Sequence, residues 1–255
     1  MNTAPLVFFH LPRTAGRTLI RILEKQFPAN LVCPAHEMHE YMHLESVGTL
    51  CGYRFYRGHF GINILRKINS DADLITILRE PVARVLSSYR YMHSLPIPFE
   101  EHSLNPHVAR IRSDVQLAHD CSPDQFFARI LAQGRLSFFN QMTVLLGYGR
   151  GWELDALRPP LMTDELVEKA KANLEKFSFV ALTERFSESV RSLERMFGWQ
   201  PSEIGRLNAS SPLDSVIDHD LLAWLENLTR FDHALYAHAC YLFDNRWAHF
   251  SNATP

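Results

Sequence analysis

The sequence predicts an α/β fold in which helices flank a parallel β-sheet. Short apolar runs at 6–10, 72–78 and 177–182 have the length and composition of buried parallel strands. The segments between them carry apolar residues at the spacing of amphipathic helices. Strands that alternate with helices along a chain favour a parallel sheet.

The first strand, loop and helix follow from the N-terminal pattern. Residues 6–10 (LVFFH) form the strand. Residues 18–27 form the helix, because Leu19, Leu23 and Phe27 share one helical face. The turn between them is short, as it is in most units of this kind.

The remaining elements are placed by the same two patterns. Pro81 follows the strand over 72–78 and opens a helix at its first turn, where proline is tolerated. The segment 53–60 is compatible with another strand. Residues 94–123 carry Pro, His and Ser and are expected to form a long loop or lid with one short helix. Further helices are predicted over 126–131, 164–176, 186–197, 218–228 and 231–247.

The composition indicates one ordinary globular domain over 1–255. Hydrophobic residues make up 46% and charged residues 21% of the chain, and the net charge is −2, so neither disorder nor binding to nucleic acid is indicated. The start of the chain lacks the features of a signal peptide, and no run is long enough for a membrane span. We therefore expect a cytoplasmic protein. The 4 cysteines are widely spaced, which favours free thiols.

The turn at 11–18 (LPRTAGRT) has the features of an anion-binding loop. A strand-to-helix turn directs backbone N–H groups and a helix N-terminus at one point. Its glycine allows a close backbone approach, its threonines offer hydroxyl groups, and its arginines offer permanently charged donors. The pattern differs from the GxxxxGK[ST] of ordinary NTPase loops. Anion binding is therefore assigned to Arg13, Thr14, Ala15, Gly16, Arg17 and Thr18.

A second anion site is predicted around Arg79 and Ser87. Arg79 follows the strand over 72–78, and ligands of open α/β sheets bind at the carboxyl ends of the strands. Ser87 lies on the next helix, from which its hydroxyl can reach the same pocket. Two anion sites on adjacent strand ends suit a nucleotide with phosphates at both its 5′ and 3′ positions.

The motifs LPRTAGRT and LREPVARVLSSY resemble the two phosphate motifs of the sulfotransferases that use 3′-phosphoadenosine 5′-phosphosulfate (PAPS). The likeness is to the carbohydrate O-sulfotransferase branch, which includes the heparan and uronyl 2-O-sulfotransferases and their bacterial relatives. Later blocks agree in order: FFNQMT at 138–143, LTERF at 182–186 and NASS at 208–211. The last resembles the loop that closes over the nucleotide, which implies that Asn208 and Ser210 bind it.

This resemblance implies a P-loop-like sulfotransferase fold, PAPS as the donor and no metal. The acceptor would be a hydroxyl on a carbohydrate or another small molecule, attacking sulfur in line. Arg13 stands where many relatives carry lysine, and it would stabilise charge on the leaving oxygen without donating a proton. YRGHF at 56–60 resembles the segment that carries the proposed base of the 2-O-sulfotransferases. His59 is therefore the expected general base, and His10 is the alternative.

Three other functions stay open from the sequence. His39, Glu40 and His43 match the zinc signature HExxH, but the extended form of that signature is missing. A nucleotide-dependent phosphotransferase would also use an anion loop after the first strand, although it would need a lysine there and a magnesium-binding carboxylate. The non-enzymatic alternative is a protein that binds 3′-phosphoadenosine 5′-phosphate (PAP), the product of PAPS, without catalysis.

Overall fold

A four-stranded parallel sheet forms the centre of the structure. The structure is a computed structural model and describes residues 4–60, 64–68, 71–97, 106–148, 161–204 and 219–252. The strands are β1 (Leu6–Phe9), β2 (Phe55–Gly58), β3 (Asp73–Leu78) and β4 (Phe179–Leu182), in the order β2–β1–β3–β4. The predicted α/β class with a parallel sheet is therefore confirmed, and the segment 53–60 contributes a strand.

Helices pack against the sheet and against one another. No helix within the described ranges is both long and apolar enough to cross a bilayer. The helices are α1 (Gly16–Glu24), α2 (Met38–Ser46), α3 (Ile64–Ile68), α4 (Pro81–Ser94), α5 (Pro106–Asp120), α6 (Pro123–Ala132), α7 (Leu136–Phe139), α8 (Gln141–Tyr148), α9 (Asp164–Leu174), α10 (Phe186–Phe197), α11 (His219–Leu228), α12 (Arg230–Arg246) and α13 (Ala248–Asn252).

The strands are apolar along nearly their whole length because both faces of the sheet are covered. Every residue of β1, β2 and β4 is buried, as is all of β3 except Asp73. The strands form one apolar cluster with side chains of loops and of helices α1, α2, α3, α8, α9, α10 and α12. A parallel sheet with two buried faces has no place for alternating polar residues, which explains the continuous apolar runs in the sequence.

A second apolar cluster lies beneath α4. It is built from side chains of α4, α5, α6, α7 and α11, with Phe126, Phe127 and Phe139 fully buried at its centre. Tyr89 packs against two of these rings, with ring centroids 5.1 Å from Phe126 and 5.8 Å from Phe127. Helix α4 therefore begins close after the end of β3 and contributes to the second cluster along its length.

A buried polar network joins the two clusters. Arg84 of α4 lies 3.5 Å from the carboxylate of Asp232 of α12, and both side chains are 1% exposed or less. Asp232 also accepts hydrogen bonds from the backbone N–H groups of Met142 and Thr143. Asn140 donates to the carbonyl of Leu228 and accepts from the N–H of Asp232. The FFNQMT block is thus part of this structural network.

The region 94–123 is more ordered than its composition predicts. Instead of a loop with one short helix, it contains α5, which is 15 residues long. Val115 and Ala118 of α5 are buried, and Ala118 belongs to the second cluster. Burial of these side chains stabilises a helix that the flanking Pro, His and Ser residues obscured in the sequence. Residues 98–105, which separate α5 from α4, lie outside the described residues.

Candidate functional site

The candidate site lies where β1 and β3 end side by side. From β1 the chain crosses to β2 on one side, whereas β3 and β4 lie on the other. Neighbouring strands whose connections run in opposite directions leave a crevice at their carboxyl ends, where ligands of open α/β sheets bind. The loop before α1 and the start of α4 both border this crevice. The two predicted anion motifs therefore flank one position.

The loop before α1 is held in an unusual backbone conformation. Arg13 and Ala15 have φ angles of 66° and 64°, a left-handed region that costs a non-glycine residue about 1–3 kcal/mol. Contacts hold this geometry in place: the hydroxyl of Thr14 donates to the carbonyl of Leu11 (2.8 Å), and that of Thr183 donates to the carbonyl of Thr14 (2.8 Å). Such strain is typical of a functional loop, and here it precedes an uncapped helix N-terminus.

The side chain of Thr14 therefore has a structural role in this arrangement. It is fully buried and its hydroxyl is used within the loop, so only its backbone is placed to meet a ligand. Thr18 lies in the first turn of α1, and its N–H donates to the carbonyl of Ala15 (3.0 Å). Arg17 is exposed at the same helix start. Asn208 and Ser210, predicted to close over the nucleotide, lie outside the described residues.

Arg13, Arg79 and Ser87 come together across the crevice. The Nε and Nη2 atoms of Arg13 donate to Ser87 Oγ at 3.3 and 3.2 Å. The guanidinium of Arg13 also lies over the ring of Tyr91, 4.5 Å from its centroid. Arg79 Nη1 donates to the backbone carbonyl of Arg13 (3.2 Å). The two predicted anion motifs are therefore in direct contact.

The site carries an excess of positive charge. Burial lowers the pKa of Arg13, and the charges of Arg79 and Arg17 lower it further. Burial also lowers the pKa of Arg79, whose Nε is buried and has no hydrogen-bond partner within the described residues. No ion pair joins Arg13, Arg17 or Arg79 to a carboxylate in the described ranges. A bound anion would relieve both the repulsion and the unmet hydrogen bond.

The nearest carboxylates are occupied by structural bonds. Glu80 caps α4, and its two carboxylate oxygens accept from the N–H groups of Val82 and Ala83. Glu184 accepts from the N–H of Glu80 (3.0 Å) and from the hydroxyl of Tyr236 (2.6 Å). These bonds account for both carboxylates, and within the described residues no group of three or more His, Cys, Asp or Glu side chains is arranged to hold a metal ion.

Two histidines stack at the edge of the same crevice. His59 directly follows β2, and its ring lies over that of His10 with centroids 4.3 Å apart. His59 Nδ1 lies 2.9 Å from the backbone carbonyl of His10. Because a carbonyl only accepts, Nδ1 carries the proton, and Nε2 is the basic nitrogen of the neutral ring. The ring of His10 in turn rests on Gly16, where a Cβ atom would come within 2.0 Å of it.

Burial keeps both imidazoles neutral. It lowers the pKa of His59 below its ordinary value of 6.5, and the nearby His36 lowers it further. Burial also holds the pKa of His10 well below 6.5, with added repulsion from His59 and Arg13. A neutral imidazole next to an anion loop has the protonation state that a general base requires.

His36 reaches the site through an edge segment next to β2. The N–H of His59 donates to the carbonyl of His36 (2.9 Å), and Glu37 pairs with His59 as in a parallel bridge. Arg57 donates to His36 Nε2 (3.0 Å) and forms an ion pair with Glu24 (2.7 Å). Gly58 makes this approach possible, because a Cβ there would lie 1.9 Å from the His36 carbonyl oxygen.

The HExxH match has a structural explanation. Glu40 Oε2 accepts from the N–H groups of His36 (2.6 Å) and Glu37 (2.9 Å), so Glu40 caps the start of α2. His39 and His43 are exposed on the same helix. The glutamate of the HExxH match is therefore the N3 residue of a capping box with Glu37.

Sequence reasoning missed two residues of the site. Tyr91 lies one helical turn after Ser87, so the four-residue spacing was a signal that could have identified it. Thr183 donates to the carbonyls of both Thr14 and Leu78 (2.8 and 3.0 Å). It thereby ties the LTERF block to the anion loop.

Comparison with known proteins adds one distant similarity. No family model matches the chain. Over 113 residues the chain is 27% identical to a protein-tyrosine sulfotransferase of Arabidopsis thaliana, and this stretch covers 44% of the chain and 22% of that protein. The similarity supports a relationship to the sulfotransferases. The chain thus matches about a fifth of the length of that relative, and the α/β fold with its parallel sheet is compatible with this relationship.

Proposed function

We propose that this protein transfers a sulfuryl group from PAPS to a hydroxyl of an acceptor. The observation that carries the proposal is the convergence of Arg13, Arg79 and Ser87 at the β1–β3 crevice, where Arg79 Nε lacks a partner within the described residues. This cationic crevice suits a ligand with two separate anionic groups. The distant similarity to a sulfotransferase supports sulfuryl transfer over phosphoryl transfer.

The donor would bind with its 5′-phosphosulfate at the loop before α1 and its 3′-phosphate at Arg79 and Ser87. The first backbone N–H groups of a helix lack intrahelical acceptors and can bind an anion, although in α1 the N–H of Thr18 already donates to the carbonyl of Ala15. Loop atoms Arg13 to Thr18 would hold the first anion in this arrangement, which is P-loop-like in its use of a strand-to-helix turn. Asn208 and Ser210 would complete the nucleotide site.

His59 would act as the general base. The acceptor oxygen forms a bond to sulfur while the bond between sulfur and the phosphate oxygen breaks, and that electron pair leaves with PAP. The hydroxyl proton passes to His59 Nε2, and Arg13 stabilises the charge that develops on the leaving oxygen. Arginine does not give up a proton at neutral pH, so the charge is met by hydrogen bonds alone.

Two acceptor classes follow from two different observations. The sequence motifs resemble the carbohydrate O-sulfotransferases, which favours a sugar hydroxyl. The similar protein from Arabidopsis is a protein-tyrosine sulfotransferase, which favours the phenol of a tyrosine. We propose the carbohydrate or a small hydroxylated molecule as the acceptor and the tyrosine as the second candidate.

Calorimetric titration with PAP, 5′-AMP and ATP tests the donor site. We expect PAP to bind most tightly, and Arg79→Ala or Ser87→Ala to weaken its binding about tenfold or more, because hydrogen bonds to charged groups contribute about 1.5–3 kcal/mol. Arg21→Ala is the matched control, since Arg21 is an exposed arginine in the last turn of α1. ATP binding equal to PAP binding would overturn the proposal. Transfer of labelled sulfate to glycans and to tyrosine peptides then separates the two acceptor classes.

A further inference from the structure

The guanidinium of Arg13 is held in place by a hydroxyl group and an aromatic ring of α4. Its guanidinium meets Ser87 Oγ at one edge, at 3.2–3.3 Å, and the ring of Tyr91 at one face, at 4.5 Å. Ser87 and Tyr91 are four residues apart on α4, so they project from the same side of that helix. One face of α4 therefore contacts the guanidinium twice: Ser87 at its edge and the ring of Tyr91 at its flat face.

The choice of an aromatic partner preserves the charge of Arg13 for a ligand. A carboxylate in the place of Tyr91 would form an ion pair and would compete with an incoming sulfate or phosphate. An aromatic ring attracts a cation through its negative face and carries no net charge. It also offers a flat surface that matches the planar guanidinium and would hold a lysine ammonium less specifically.

Packing of the protein core does not explain Tyr91. Its side chain is 41% exposed, and it belongs to neither of the two apolar clusters. Tyr89, two residues earlier, is buried in the second cluster and supports the helix from the opposite side. Among the described residues, the contact recorded for the ring of Tyr91 is the one with Arg13.

We propose that Tyr91 is a positioning residue for the loop arginine: its ring fixes the guanidinium of Arg13 at the anion site of the bound nucleotide. This inference rests on the proposed function, because it assigns the role of Arg13 to the PAPS site. It adds a residue of α4 that sets the position of the guanidinium, and this explains why an arginine is suited to the loop. The hydroxyl of Tyr91 is not required, whereas its ring is.

A double-mutant cycle tests this role. Calorimetric dissociation constants for PAP are measured for the full chain and for Tyr91→Phe, Tyr91→Leu, Arg13→Ala and the double variant Arg13→Ala/Tyr91→Leu. We expect Tyr91→Phe to bind PAP within about twofold of the unmodified chain. Tyr91→Leu should bind it about 3- to 30-fold more weakly, the range of a cation–π contact. In the Arg13→Ala background, Tyr91→Leu should change binding by less than about twofold.

The controls separate this proposal from the proposed function. Tyr241→Leu removes another exposed tyrosine, on α12, and should leave PAP binding unchanged. If the unmodified chain binds PAP and Tyr91→Leu binds it equally well, the positioning role is wrong while the proposed function stands. Equal losses with and without Arg13 would also overturn it, because they would show that Tyr91 acts independently of the arginine. If the unmodified chain fails to bind PAP, both proposals fall.

Discussion

At the scale of single residues, the site is defined by charges that lack their usual partners. Arg13 and Arg79 are partly buried and form no ion pair with a carboxylate in the described residues, although the charges of Glu184 and Glu80 still act on Arg79. His10 and His59 are held neutral mainly by burial. A bound anion would supply the missing partners of the arginines, and the neutral histidines lie near them. This combination suits a transfer reaction in which a hydroxyl loses a proton next to a bound anion.

The pH profile of the reaction should depend on His36. With His59 as the proposed general base, kcat/KM rises with pH through the pKa of that ring. Burial holds this pKa below 6.5, the hydrogen bond to the His10 carbonyl raises it, and His36 lowers it. In His36→Gln the repulsion is lost and burial remains, so the pKa of His59 rises. We expect the acidic limb of the pH–kcat/KM profile to move to higher pH, with less activity under acidic conditions and the same plateau.

Two further variants serve as controls for the pH profile of His36→Gln. His43→Gln changes an exposed histidine of α2 that does not influence His59, and its acidic limb should match that of the unmodified chain. His59→Ala should lose the limb together with about 10²- to 10⁴-fold of kcat. A limb that stays in place or moves to lower pH in His36→Gln would contradict this account of the His36–His59 interaction.

At the scale of elements, the site depends on how closely β1, α1 and β2 approach each other. The His10 ring stacks between Phe8 and His59, at centroid distances of 5.6 and 4.3 Å. It also rests on Gly16 at the start of α1. The imidazole of His10 thereby sets the spacing between the anion loop and the predicted base.

The substitution Gly16→Ala tests this spacing. Alanine normally stabilises a helix by about 0.5–1 kcal/mol relative to glycine. Here its Cβ would lie 2.0 Å from His10 Cδ2, so we expect a net loss of about 1–3 kcal/mol in the free energy of unfolding. Urea unfolding of the four proteins in a cycle with His10→Ala measures the coupling. The two changes should be non-additive by about 1 kcal/mol or more, and strict additivity would show that the ring is not confined by Gly16.

Helices and strands whose apolar residues recur at a regular spacing can be predicted from the sequence. Contacts made by segments without regular secondary structure cannot. Arg79 and Ser87 were predicted to meet because a strand end and the next helix fix their relation, and the structure brings them together with Arg13. The contact between His36 and His59 was not predicted. His36 reaches His59 through an edge segment whose sequence lacks the alternation of a strand. The buried hydroxyl of Thr14 could not be foreseen either, since residue type alone does not tell a ligand-binding hydroxyl from one that closes a turn.

At the scale of the whole molecule, one buried polar network joins the apolar cluster around the sheet to the second apolar cluster. Arg84 donates to the carbonyls of Phe138 and Phe139 (2.8 and 2.9 Å) and pairs with Asp232. Burial lowers the pKa of Arg84 and raises that of Asp232, and each charge opposes the shift of the other. Arg84 Nε lies in ion-pair contact with Asp232 and has no hydrogen-bond partner among the described residues. The remaining hydrogen bonds of the network fix the position of α4, which carries Ser87 and Tyr91 into the site.

The variant Asp232→Asn tests how much this network contributes to the stability of the fold. The amide keeps one acceptor for the N–H of Thr143 but leaves the buried charge of Arg84 without its counter-ion, so we expect a loss of about 3–5 kcal/mol in the free energy of unfolding by urea. Asp244→Asn is the control, because Asp244 is 58% exposed in its pair with Arg185 and should cost less than about 1 kcal/mol. The double variant Arg84→Met/Asp232→Leu should recover part of the loss, since it removes both buried charges. A loss for Asp232→Asn as small as that of the control would mean that the apolar contacts alone hold α4 against the sheet.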